Sequence, residues 1–145
     1  HRLVNAAMLH RENLGHPIYC FRFSVDRTLN FYKRLQGTDF PGASHSDDLC
    51  YLFRVGNQKN EIIPNSLEDI TIQRMVKLWT NFAKYGNPNG HESDINIPID
   101  WEPIEPGKIY CLDIGKDLSI YTNPEHERVK FWDRIYNVQS LAGKL

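Results

Sequence analysis

Apolar residues recur along this chain with two different periods, which predict a mixture of helices and strands. Helical spacing predicts helices over residues 2–14 and 66–85. Short apolar or alternating runs predict strands over residues 18–24, 108–114 and 118–121. One apolar stripe follows the long helix, and we expect it to face the core. Its members are Ile72, Met75, Val76, Trp79, Phe82 and Ala83.

Local signals predict two further helices. Leu49, Leu52 and Phe53 have helical spacing and predict a short helix that begins just after His45. Asn123-Pro124 opens a last helix, because proline is favoured at the first helical position. We expect the inner face of this last helix to consist of Val129, Trp132, Ile135 and Tyr136. The mixed polarity of residues 25–44 predicts only a Pro-Gly turn.

Composition narrows the class of protein. The chain has 145 residues, of which 41% are apolar and 24% are charged, as is typical of one globular domain. Lys and Arg number 17 against 18 Asp and Glu, and no dense basic cluster occurs, which argues against a nucleic-acid partner. No apolar run approaches the roughly 18 residues of a membrane span.

Motifs for metals, nucleotides and disulfides are missing from the sequence. The six histidines include no pair at i, i+4, and the common glycine-rich phosphate motifs do not occur. Three cysteines without a Cys-x-x-Cys pair do not indicate a disulfide scaffold. We therefore expect no metal and no cofactor.

Ser44 is a weak candidate for a nucleophile. It lies in a stretch that is similar to Gly-x-Ser-x-Gly, but Ser46 stands where the final glycine is needed. The stretch also does not directly follow an apolar strand, as a nucleophile elbow does. We expect Ser44 to have no catalytic role.

His45 is the stronger candidate for chemistry. It follows the Pro-Gly turn and precedes the short helix, so that a loop presents its side chain. A helix N-terminus disfavours a charged imidazole, and Asp47 and Asp48 in the first turn would partly offset that effect. A histidine placed in this way can act as general base and acid near neutral pH. On these residues alone, an exposed or simply hydrogen-bonded histidine is the plainer interpretation.

The segment Gly42-Ala43-Ser44-His45-Ser46-Asp47-Asp48-Leu49 resembles the histidine segment of type-B carboxylesterases, the family that includes cholinesterases. Residues 19–26, 74–89, 101–103 and 110–114 and the Phe131-Trp132-Asp133 stretch resemble the same family in the same order. The similarity covers nearly the whole chain and is closest to insect alpha-esterases. It implies an α/β fold, in which residues 1–145 are the C-terminal part of a single α/β-hydrolase domain, with strands of the central sheet and packing helices.

The resemblance also implies a function. The protein would be a carboxylic ester hydrolase acting on a small-molecule ester, with His45 as general acid and base of a Ser-His-acid triad. Asp48 matches the family's acidic residue three positions after the histidine and would support His45. Phe31 and Tyr32 precede the loop and would contact substrate, although a core or surface role is the plainer interpretation of both.

Several parts of the family's site do not occur in these residues. The nucleophile elbow and the oxyanion loop are missing, and Glu12, Asp26 and Asp39 fit solvated or structural roles better than that of the triad acid. We expect the remainder of the same polypeptide to supply these parts, and the 145 residues alone to be inactive. A non-catalytic carboxylesterase-like binding or adhesion module is the alternative function.

Two further departures concern cysteine and glycosylation. Cholinesterases have a cysteine shortly before the last Phe-Trp pair, where this chain has Val129 and Lys130. The resemblance therefore implies reduced thiols at Cys20, Cys50 and Cys111. No Asn-x-Ser/Thr site occurs in the sequence, and both departures favour an intracellular location.

Overall fold

The structure is a computed structural model that describes residues 2–37, 40–55 and 61–136. These residues form both helices and strands, as the sequence predicts. In chain order the elements are α1 (Arg2–Leu14), β1 (Cys20–Phe23), α2 (Phe31–Gln36), α3 (Leu49–Leu52), α4 (Leu67–Tyr85), β2 (Tyr110–Ile114), β3 (Leu118–Thr122) and α5 (His126–Tyr136). Within the described residues, no helix combines the length and the apolar character that a membrane span needs.

The three strands form one sheet in the order β1-β2-β3. Three residues join β2 to β3, and a connection this short requires an antiparallel pair. The N–H of Ser24, just after β1, donates to the carbonyl of Ile114 at the end of β2, at 2.8 Å. Because matching ends of the two strands lie side by side, β1 and β2 are parallel. The buried carboxylate of Asp113 on β2 accepts a hydrogen bond from Arg22 Nε at 2.8 Å.

The chain divides into two compact units. The first unit comprises His1–Phe21, Trp101–Leu112 and Ile120–Leu145. Its apolar core contains Ala7, Ile104 and Ile109, with Val4, Met8, Ile18 and Cys20 packed against them. Trp101 fixes the start of β1, since its Nε1 donates to the carbonyl of Cys20 at 3.0 Å.

The second unit comprises Arg22–Asp100 and Asp113–Ser119 and contains the long helix α4. Ser66 caps the start of α4, because its side chain accepts a hydrogen bond from the N–H of Asp69. Gly86 ends α4 in the left-handed conformation, with φ of 67°. These capping residues confirm the predicted bounds of the helix.

The buried face of α4 differs from the predicted stripe. Val76 and Phe82 are 40% and 49% exposed, and of the predicted stripe only Met75 is buried. The buried residues of α4 are Thr71, Arg74, Met75, Leu78 and Asn81. Two of them donate side-chain hydrogen bonds to loop carbonyls. Arg74 Nε donates to the carbonyl of Asn96 at 2.7 Å, and Asn81 Nδ2 donates to the carbonyl of Pro88 at 3.1 Å. Hydrophobic spacing does not detect a face that is buried through such bonds.

The last helix also differs from its prediction. α5 begins at His126, two residues beyond Pro124. Asn123 and Glu125 have φ of 49° and 58°, which is a turn rather than a first helical turn. None of the described residues of α5 is buried, and the expected inner face is half-buried at Val129 and exposed at its other three positions.

The short elements near His45 correct two further predictions. α2 lies within residues 25–44, where the sequence predicts only a turn. α3 begins at Leu49, so that Asp47 and Asp48 precede the helix instead of forming its first turn. Its buried residues are Cys50 and Tyr51, whereas Leu49 and Phe53 of the predicted apolar spacing are exposed.

Candidate active site

Two carboxylates accept hydrogen bonds from the backbone of the loop that carries His45. At its start, the N–H of Gly42 donates to Asp26 Oδ2 at 2.7 Å. Directly before His45, the N–H of Ser44 donates to Asp47 Oδ2 at 2.7 Å. The loop uses left-handed backbone on either side of the histidine, with φ of 97° at Gly42 and 69° at Ser46. The His45 side chain is exposed and makes no hydrogen bond to a residue that the structure describes.

Asp47 is the buried acidic residue of this loop. Its side chain has no exposed surface and accepts five hydrogen bonds. Oδ1 accepts from the N–H groups of Tyr32 and Lys33 at 2.7 and 3.3 Å. Oδ2 accepts from Ser44 N at 2.7 Å, Ser44 Oγ at 2.9 Å and Asn30 Nδ2 at 3.3 Å. Burial alone raises the pKa of Asp47, but the bonds from Ser44, Tyr32 and Lys33 stabilise the carboxylate, and the net shift of the pKa is downward.

Asn30 and Tyr51 extend this network into the interior. Asn30 is fully buried, and its Nδ2 also donates to the carbonyl of Val25 at 2.8 Å. The Tyr51 hydroxyl donates to Asn30 Oδ1 at 3.0 Å, and the Tyr51 ring lies 5.1 Å from that of Phe23. Burial raises the pKa of Tyr51 strongly, so that its hydroxyl stays protonated and remains a donor. The loop of His45 therefore rests on a polar network whose members are paired.

Asp26, in the segment that follows β1, contacts the same region. Its Oδ1 accepts from Lys33 Nζ, while its Oδ2 accepts from Gly42. The bond from Lys33 and then the bond from Gly42 lower the pKa of Asp26. The structural role that the sequence predicts for Asp26 agrees with these contacts.

The other expected site residues lie in different surroundings. Asp48 is half-buried at the N-cap of α3, but its side chain makes no capping hydrogen bond. Phe31 and Tyr32 are the first two residues of α2, and Phe31 is half-buried whereas Tyr32 is 37% exposed. The structure therefore connects Tyr32 to the histidine loop through its backbone, by way of Asp47.

The structure agrees with minor roles for Ser44 and for Glu12. The Ser44 hydroxyl donates to Asp47, which gives it a structural partner. Glu12 is an exposed residue of α1, and Asp39 lies outside the described residues.

Cys20, Cys50 and Cys111 carry thiols rather than disulfides, and burial raises the pKa of the Cys20 thiol.

Sequence reasoning missed Asn30, Tyr51 and the contacts of Asp47. An asparagine followed by an apolar and basic run is a signal for a helix start, and Asn30 precedes α2. The sequence predicts Asp47 in the first turn of the short helix after His45, whereas its carboxylate lies at the first turn of α2. No local signal indicates which of two helices an aspartate will reach.

Comparison with known proteins identifies the family. The profile of the carboxylesterase family matches residues 1–132. A bile salt-activated lipase of Rattus norvegicus is 33% identical over 114 residues, which cover 78% of this chain and 17% of that protein. A juvenile hormone esterase of Tribolium castaneum is 32% identical over 126 residues, which cover 81% of this chain and 20% of that protein. The chain thus spans about a fifth of the length of these curated relatives.

Solved structures agree with this assignment. The juvenile hormone esterase of Manduca sexta, with OTFP covalently attached, has a TM-score of 0.71 and 26% identity, over 92% of this chain and 26% of that one. A PNB esterase has a TM-score of 0.57 at 19% identity, over 79% of this chain and 21% of that one, and supports the fold alone. These neighbours confirm the expected α/β-hydrolase class. The chain belongs to the carboxylesterase family.

Proposed function

We propose that this chain is the histidine-bearing part of a carboxylic ester hydrolase, and that His45 is the general base and acid of a Ser-His-acid triad. The observation that carries the proposal is the state of His45 in a chain of this family. Its imidazole is exposed and has no hydrogen bond to a described residue. The backbone of its loop is held by hydrogen bonds to two carboxylates, those of Asp26 and Asp47. A histidine that is held in place and open to a reacting group is what general base catalysis requires.

In this mechanism His45 takes the proton of a serine hydroxyl as the serine oxygen attacks the ester carbonyl. The protonated imidazole then gives that proton to the leaving alcohol, and the acyl group stays on the serine. In the second half, His45 takes a proton from water, which attacks the acyl-enzyme, and returns it to the serine oxygen as the acid leaves. In this proposal Phe31 and Tyr32 contact the substrate, and Asp48, three residues after His45, contributes only its negative charge.

The serine, the triad acid and the oxyanion donors come, in this proposal, from the remainder of the same polypeptide. Residues 1–145 then form the C-terminal part of one α/β-hydrolase domain and are inactive alone, because a histidine without a nucleophile offers no covalent route. The small share of each curated relative that the chain covers supports this division. The names of these relatives, a lipase and a hormone esterase, support a carboxylic ester as substrate.

The test uses the complete polypeptide that contains this chain, assayed with a p-nitrophenyl ester. His45→Ala should lower kcat by several orders of magnitude, as loss of a triad member does. His10→Ala is the matched control, because His10 is an exposed histidine on α1, and it should keep the wild-type rate. Near-normal turnover by His45→Ala overturns the assignment. A wild-type protein that hydrolyses no ester and is not labelled by a fluorophosphonate favours the non-catalytic module instead.

A further inference from the structure

We propose that Asp47, rather than Asp48, is the residue that positions His45. The proposal rests on the proposed function and assigns the geometry of its histidine to one carboxylate. Asp47 lies two residues after His45, yet its oxygens reach the residue before the histidine and the first turn of α2. It is therefore a positioning residue that acts through the backbone, and it does not touch the reacting atoms.

The two oxygens of Asp47 hold two separate segments. Oδ1 accepts from successive backbone N–H groups, those of Tyr32 and Lys33 at the start of α2. Oδ2 accepts from both the backbone and the hydroxyl of Ser44. Because a carboxylate is rigid, the position of the Ser44 amide is fixed relative to α2. That amide directly precedes His45, so the same bonds fix where the histidine leaves the backbone.

Only an acceptor satisfies this arrangement. All five groups that face Asp47 donate hydrogen bonds. The orientation of the Asn30 amide is fixed, since its Oδ1 accepts from the Tyr51 hydroxyl and the N–H of Arg27. Its Nδ2 must therefore point at Asp47. An asparagine at position 47 would turn an NH2 group towards a backbone N–H in either orientation, and one segment would lose its acceptor.

Asp48 has the same charge as Asp47 but does not make the hydrogen bonds that Asp47 makes. Its side chain is half-buried and does not cap α3. Among the described residues, no backbone group donates a hydrogen bond to the Asp48 side chain, so its charge affects His45 only through space, and solvent weakens that effect. Asp47 is fully buried and binds the loop directly. Asparagine keeps the shape of aspartate and removes its charge, so this substitution should lower the rate more at Asp47 than at Asp48.

Loss of this positioning should appear in kcat more than in KM. General base catalysis depends on the alignment of the imidazole in the transition state, and a displacement of about 1 Å costs roughly 100-fold in rate. The substrate binds through other groups, so that its affinity changes little. A role confined to stability would instead lower the melting temperature and leave the rate of each folded molecule unchanged.

The experiment compares Asp47→Asn and Asp48→Asn in the complete polypeptide. The number of active sites is titrated with a fluorophosphonate, and kcat and KM are measured per titrated site across the pH range. We expect Asp47→Asn to lower kcat by roughly 10- to 100-fold with KM close to wild type, and Asp48→Asn to have the smaller effect. Asp69→Asn is the matched control, because Asp69 also accepts a backbone N–H near a helix start, from Asn65 at 2.8 Å, and it should keep the wild-type kcat. A normal kcat in Asp47→Asn, or an equal or larger loss in Asp48→Asn, overturns the proposal.

Two further measurements keep the result decisive. If Asp47→Asn does not fold, Asp47→Glu takes its place, since it keeps the acceptors and moves them by one methylene, and kcat should again fall with KM retained. If the wild-type protein hydrolyses no ester, the proposed function fails, and amide hydrogen exchange still tests Asp47. The Ser44 and Tyr32 amides should then exchange slowly in wild type and in Asp48→Asn but quickly in Asp47→Asn. Equal exchange in the two variants contradicts the positioning role.

Discussion

The backbone N–H of Gly42 donates to the Oδ2 atom of Asp26 at 2.7 Å and ties the start of the histidine loop to the segment that follows β1. The two residues are 16 positions apart in the chain. Gly42 has φ of 97°, in the left-handed region where glycine carries no steric penalty. The other oxygen of Asp26 accepts from Lys33 on α2. One exposed carboxylate therefore joins the segment after β1, the helix α2 and the loop.

We predict that Asp26→Ala lowers the catalytic rate less than Asp47→Asn does. Both substitutions remove an acceptor from the loop, but Asp26 is exposed, and water can replace its bond to Gly42. The expected result is a loss of a few-fold in kcat, measured with a p-nitrophenyl ester in the complete polypeptide. Lys33→Met is the matched variant, because it removes the ion pair and leaves the bond to Gly42, and it should lose less. A greater loss in Lys33→Met would show that the ion pair, not the loop contact, matters.

The elements that local chemistry determines could be predicted from the sequence. α1 ends near Gly15 and α4 runs between Ser66 and Gly86, because capping residues define helix ends through bonds to nearby backbone. The strand pair 108–114 and 118–121 corresponds to β2 and β3 within two residues. These signals act over four residues or fewer, and a sequence displays them directly.

Burial and the site's support depend on partners that are distant in the chain. Arg74 is buried because carbonyls 22 and 42 residues away accept its hydrogen bonds, and no apolar stripe indicates this. The sequence does not predict α2, because Asp47 from a later loop completes its first turn. The family resemblance indicates His45, whereas the residues that hold its loop are recognised only from their geometry.

We predict that Arg74→Met destabilises the fold. Arg74 is 9% exposed, and its Nε and Nη1 donate to the carbonyls of Asn96 and Lys116 at 2.7 and 3.0 Å. Methionine fills similar space but leaves both carbonyls without this donor, which should cost about 2–4 kcal/mol in the free energy of unfolding. Urea unfolding measures the change. Lys77→Met, on the same helix, is the control and should change the free energy of unfolding by less than about 1 kcal/mol.

A second stability prediction concerns the start of α4. The Ser66 hydroxyl oxygen accepts the N–H of Asp69 at 3.2 Å, and Ser66→Ala removes this acceptor. The expected cost is about 1 kcal/mol in the free energy of unfolding. Ser66→Asp restores a capping oxygen and should recover most of the loss. If Ser66→Ala and Ser66→Asp unfold at the same urea concentration, the cap does not contribute as the geometry indicates.

The last prediction concerns acid pH. The pKa of Asp47 in the folded protein lies below its ordinary value, because its hydrogen bonds to Ser44, Tyr32 and Lys33 outweigh its burial. A carboxylate with a depressed folded pKa stabilises the fold fully above its unfolded pKa of about 3.9, and this contribution is lost as the pH falls through the folded pKa. Wild type should therefore exceed Asp47→Asn in free energy of unfolding at pH 7, and the difference should shrink below about pH 4. Urea unfolding of both proteins between pH 7 and pH 3 measures this. A difference that stays constant over that range would mean that the charge of Asp47 contributes nothing and that only its shape matters.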